Sequence, residues 1–184
     1  DLGLTWQTTA RGKALDKEVS SHFDALNTSK IIDCLLVDCP YELYWYEKTA
    51  STTWEYGYTT TTTGNKTTVR IKNISVNMPV CNSYASGRYK VNAKIVQLAK
   101  QAAANARMIV QKFSSYTETE KLIGYKEIIC YLTSYNDEAV EWEEYGDPWQ
   151  LIYVFDGDDS TNVVCEGYSK AFQYLCDLSD ITCY

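Results

Sequence analysis

The stretch Asn162-Val163-Val164-Cys165-Glu166-Gly167-Tyr168-Ser169-Lys170-Ala171-Phe172 changes character at its cysteine. Val163 and Val164 lead in. Beyond them Ala171, Phe172, Leu175 and Leu178 recur at the spacing of a helix buried on one side, which puts Cys165 in its first turn. That position has chemical meaning. Unpaired amides and the positive end of a helix stabilise a thiolate, the species that attacks a carbonyl. A backbone amide at the same helix start can also donate to the oxyanion of a tetrahedral intermediate. Gly167 would let a substrate chain or a neighbouring strand approach closely. Taken alone, a cysteine at a helix start is a weak signal and reads more readily as a buried cap residue, so the segments around it have to be read as well.

Upstream, 141–159 is acidic and holds the apolar run Leu151-Ile152-Tyr153-Val154-Phe155 between Gly146-Asp147-Pro148 and Asp156-Gly157-Asp158-Asp159, a pattern of loop, short helix and loop. The Asp156-Gly157-Asp158 cluster resembles part of a calcium loop, but the rest of the twelve-residue pattern is missing, and a solvated turn is the better reading. In 116–132, Tyr116-Thr117-Glu118-Thr119-Glu120 makes a capped entry to a helix whose buried side carries Leu122, Tyr125, Ile128, Ile129 and Leu132, and Ser134-Tyr135-Asn136-Asp137 ends it. The most regular segment is 91–113. There Val91, Ile95, Leu98, Ala102, Ala106, Ile109 and Phe113 step by three or four without a Gly or Pro, which predicts a six-turn amphipathic helix.

Nearer the N-terminus, Leu15, Val19, Phe23 and Leu26 form one helical stripe with the only histidine, His22, beside it. Asn27-Thr28-Ser29 caps a second short helix that Pro40 closes. The period then becomes that of strands in 43–46, 53–59 and 67–76, with a hairpin turn at Thr63-Gly64-Asn65-Lys66. The Thr-rich tract reads as an exposed strand, and a glycosylated stalk would need a longer tract with proline.

A chain of 184 residues with 45% hydrophobic content can bury a sizeable core. Its net charge of −7 argues against a nucleic-acid partner, because phosphate binding needs a concentrated excess of Lys and Arg. No apolar run reaches the roughly 20 residues that span a bilayer, so no membrane insertion is expected. The seven cysteines, at 34, 39, 81, 130, 165, 176 and 183, are an odd number and contain no C-x-x-C pair, so at least one thiol stays free or pairs between chains. With one histidine besides, neither a metal nor a cofactor is expected. The abundance of Thr and Tyr is a compositional hint of an extracellular setting.

Residues 164–175 resemble the transglutaminase-like superfamily, whose bacterial members carry a V-C-E-G-Y-A/S-K-A-F-x-Y-L segment around the nucleophile. The helix and S-Y-N turn in 118–136 are similar to the segment upstream of that site, Pro148-Trp149-Gln150-Leu151 is similar to its lead-in, and 40–46 is similar to a strand in the N-terminal extension of many bacterial surface members. The resemblance is strong over 118–184 and weaker back to about Leu26.

What the resemblance implies is an α+β chain with an N-terminal helical and β-hairpin region in 1–115 and an incomplete papain-like, transglutaminase-like core in 116–184. Cys165 would be the catalytic nucleophile and must stay out of structural disulfides, and Gln150 and Trp149 would be the candidates for holding the oxyanion. The family's His and Asp come from strands after the nucleophile helix. This sequence has no histidine there, and a triad without an imidazole leaves the thiol weakly activated. The expectation is therefore an inactive fragment of a secreted or cell-surface bacterial protein, a cysteine acyltransferase, amidase or peptidase acting on a protein or peptide. The alternative is a non-enzymatic surface module that binds or attaches. Without the family's sheet, the apolar side of the Cys165 helix is expected to leave Phe172 and Leu175 partly exposed or covered by a partner.

Overall fold

The computed structural model describes residues 4–141 and 151–183. The chain is α+β, with 49% helix and 21% strand among the described residues, the strands in small antiparallel sheets. It divides into two compact units, one of Asp1–Cys34 with Ser51–Met78, the other of Leu35–Ala50 with Pro79–Tyr184.

In the first unit, β1 (Thr5–Thr8), β2 (Thr53–Thr63) and β3 (Lys66–Asn77) form an antiparallel sheet in the order β1-β3-β2. The β2–β3 hairpin turns through Gly64-Asn65, with Thr63 opposite Lys66 and Gly64 at φ 62°, a backbone that glycine adopts without Cβ strain. The Thr tract lies at the far end of the edge strand β2 and is solvent-exposed. Helix α1 (Lys13–Asp24) covers the sheet, its Leu15, Val19 and Phe23 meeting Val69 and Ile71 of β3. Strand β1 has no signature of its own. Four residues become a strand only because β3 offers them a partner, in the register Thr5 to Arg70.

One carboxylate ties β1 to α1. Glu18 accepts from the Trp6 indole N–H and from the Thr8 hydroxyl, each at 2.7 Å. These donors, Thr8 foremost, hold the Glu18 carboxyl below its ordinary range. A carboxylate depressed in the folded state contributes stability above its unfolded pKa, and that contribution disappears as pH falls through the folded pKa. Acid unfolding followed by near-ultraviolet circular dichroism should therefore be less steep in Glu18→Gln than in the parent. An unchanged acid limb would show that Glu18 carries none of it.

The division between units falls within α2 (Thr28–Asp38), whose start is capped by Asn27, its side chain accepting from the Lys30 N–H at 2.9 Å. The second unit is mainly helical. α3 (Ala93–Lys112) starts at Asn92, which caps Lys94, and buries Ala99, Ala102, Ala106 and Ile109. α4 (Glu118–Leu132) begins with the capping box of Thr117 and Glu120 and buries Tyr125 and Ile129. A short helix α5 (Asp137–Glu141), a 3-10 helix (Leu151–Val154) and α6 (Cys165–Asp177) complete the unit, with a small hairpin of β4 (Ala85–Gly87) and β5 (Lys90–Val91). α6 packs against the 3-10 helix, α4 and α3.

Two expectations need correction. Residues 43–46 are not a strand but part of a turn, and only Tyr46 makes a β-bridge, to Val80. Their apolar run signals burial rather than extension: Tyr41, Tyr44 and Tyr46 all enter the core. Phe172 is partly exposed, as expected, but Leu175 is not exposed for want of a sheet; it is fully buried in the helical core.

Candidate functional site

Cys165 is the first residue of α6, with Val164 in extended backbone before it as the N-cap. Its thiol is free and solvent-exposed. Backbone pairing from the turn after α4 fixes where the helix begins. The Val163 N–H donates to the Ser134 carbonyl at 3.1 Å and the Asn136 N–H to the Val163 carbonyl at 3.0 Å, a parallel bridge between Tyr135 and Val163. Val163 itself is fully buried. The S-Y-N turn thus acts as a clamp on the residue two before the cysteine, which leaves Val164 to make the switch from extended to helical backbone.

Side chains of the same motif reinforce that clamp. The Tyr168 hydroxyl donates to the Thr133 carbonyl at 3.1 Å, and its ring stacks on Tyr135 with centroids 6.3 Å apart and planes 18° apart. Burial raises the Tyr168 phenol above its ordinary range, with Cys130 and Tyr135 adding to the shift, so the hydroxyl keeps the proton it donates. Thr133 is held from the other side by its own hydroxyl, which donates to the Thr161 carbonyl at 3.2 Å. Within the first turn, Gly167 is buried and donates its N–H to the Val164 carbonyl at 2.9 Å. Glu166 forms an ion pair with Lys48 at 2.8 Å, both side chains partly exposed, which brings a cation to the start of α6. The Ser169 hydroxyl donates to the Cys165 carbonyl at 3.0 Å.

The chemistry available here is that of an exposed thiol on the first residue of a 13-residue helix, where the first amides lie beyond reach of an intrahelical acceptor. Such amides can stabilise negative charge on sulfur or on an attacked carbonyl oxygen. Trp149 and Gln150, the oxyanion candidates, lie outside the described residues. His22 belongs to the other unit. Its ring stacks on Trp6 at 4.0 Å between centroids and its Nδ1 donates to the Glu18 carbonyl at 2.9 Å, the arrangement of a residue that serves the α1–β1 contact.

Lys48, Thr133 and Tyr135 could not be assigned to this site by spacing alone, because they approach it through long-range pairing. Tyr168 could have been suspected, since it stands three residues after the cysteine, on the same helical face as its lead-in. Among the described residues no group of three or more His, Cys, Asp or Glu is arranged to hold a metal ion, and no helix is long and apolar enough to cross a membrane. No family model, curated protein or solved structure matches the chain.

Proposed function

We propose that Cys165 is the nucleophile of a transglutaminase-like acyl-transfer site and that this chain contributes the nucleophile side of it. The observation that carries the reading is the exposed thiol on the first residue of α6, in a backbone position clamped from two sides by the 133–136 turn. A thiol that served only to fill the core would gain nothing from exposure. In this reading Cys165 attacks the carbonyl carbon of a protein or peptide amide, the first-turn amides steady the oxyanion, and a thioester forms as the amine departs. Gln150 and Trp149 are the proposed further oxyanion donors. The proton transfers require an imidazole, which the family resemblance assigns to a strand following the nucleophile helix in a longer, secreted or cell-surface bacterial protein.

Alkylation tests this reading, because Cys34 and Cys130 are also exposed and serve as internal standards. Iodoacetamide is expected to label Cys165 in this chain at a rate similar to theirs, since the site lacks its base. In a longer polypeptide that includes the histidine, the Cys165 rate should rise about tenfold or more. Equal rates in both, with no acyl transfer by the longer form, would reject the enzyme and leave a binding or attachment module of the same fold.

A further inference from the structure

A pair of cysteines lies at the opposite end of the Cys165 helix. α6 closes in a reversing turn: the Ile181 N–H donates to the Cys176 carbonyl at 2.9 Å, the Asp180 N–H to the Asp177 carbonyl at 3.2 Å, and Asp180 takes the left-handed backbone at φ 57°. This turn sends the chain back along the helix end, so that Ile181 and Cys183 pack on the same core as Cys176. Cys183 is the neighbour that, after burial, does most to raise the Cys176 thiol. Cys176 is fully buried, whereas Cys183 is half-buried and lines an open groove of about 380 Å³ together with Asp38, Gln173, Asp177 and Asp180.

We propose that Cys176 and Cys183 form an intrachain disulfide by exchange with small disulfides, cationic ones reacting fastest, and that the bond pins the segment after α6 to the helix end. Three observations support this: both cysteines pack on one core at the helix end, a defined turn brings the following segment back there, and Cys183 lines an open groove. Cys183 is the attacking thiol, because Cys176 is inaccessible and burial, with Cys183 adding to it, pushes its thiol up to about 12. In the first step the Cys183 thiolate attacks one sulfur of the reagent, and one reagent thiol leaves. In the second, Cys176 gives up its proton and attacks the Cys183 sulfur, releasing the other reagent thiol. The cysteine pair loses two protons and two electrons, and the reagent disulfide takes them up as two thiols. The charge preference follows from the groove, where three carboxylates attract a cationic reagent and repel an anionic one.

The test treats the intact, reduced chain with cystamine or with glutathione disulfide, quenches with iodoacetamide and digests with trypsin without reduction. No Lys or Arg follows Lys170, so both cysteines fall in one peptide beginning at Ala171. The expected product is that peptide with no added alkyl group and two hydrogens lighter, formed about tenfold faster with cystamine. In Cys183→Ser, which alters the more exposed partner and spares the core, the closed peptide should be absent and Cys176 should resist the reagent. Recovery of the parent peptide with both thiols alkylated, or with cysteamine retained on Cys183, would overturn the pairing. Equal rates with the two reagents would overturn the charge preference.

Discussion

Replacing Leu175 with alanine is expected to lower the free energy of unfolding by about 3 kcal/mol. Leu175 has no exposed surface and belongs to the core that α6 shares with its helical neighbours, so truncation removes its apolar transfer energy and leaves a cavity in a close-packed interior. The nearby Phe172→Ala should cost clearly less relative to its size, because the ring is only half-buried. Urea unfolding measures this directly: the midpoint should fall in Leu175→Ala with the slope unchanged. A loss under about 0.5 kcal/mol is the figure for a surface position. That result would restore the expectation that the Cys165 helix lacks its cover in this chain.

Gly124→Ala should also destabilise, by about 2 kcal/mol, although alanine is the better helix former by about 1 kcal/mol. Gly124 lies within α4, and a Cβ there would overlap Cε1 of Phe113 and stand 2.6 Å from its Cζ, far inside van der Waals contact. Phe113 is partly buried, with an aromatic ring on each of two sides. Its ring is tilted against Tyr116 at 5.3 Å and edge-on to the fully buried Tyr125 at 5.5 Å. The glycine therefore sets the approach of the α3 end to α4. Thermal unfolding of Gly124→Ala beside Gly124→Ala/Phe113→Leu separates the causes: the smaller side chain should recover part of the loss, and no recovery would place the strain elsewhere.

Local signals carried much of the helical architecture. α3 is uninterrupted and singly periodic, α4 announces its start with Thr117 and Glu120, and the hairpin has a glycine where positive φ is needed. These features depend on neighbours in sequence. Residues 43–46 misled because an aromatic run without alternation reports burial and not geometry, and here burial comes from a turn. β1 was illegible since its strand character derives from β3, some sixty residues on. At the candidate site, the cysteine's place on the helix was readable from the spacing of Ala171, Phe172 and Leu175. The clamp on Val163 and the Lys48–Glu166 pair were not, because each joins segments that are distant along the chain. The cover over Leu175 likewise depends on how three helical elements converge.

Cys165 as an acyl-transfer nucleophile is tested most directly by comparing acylation with alkylation at individual cysteines. Exposure and thiolate fraction affect both reactions, whereas amides that steady an oxyanion assist only attack on a carbonyl. The native chain would be treated in parallel with a p-nitrophenyl ester and with iodoacetamide, and the extent at Cys34, Cys130 and Cys165 read by peptide mass spectrometry over time. The acylation-to-alkylation ratio at Cys165 is expected to be about tenfold or more above that at Cys34 and Cys130. The same ratio at all three cysteines would contradict it.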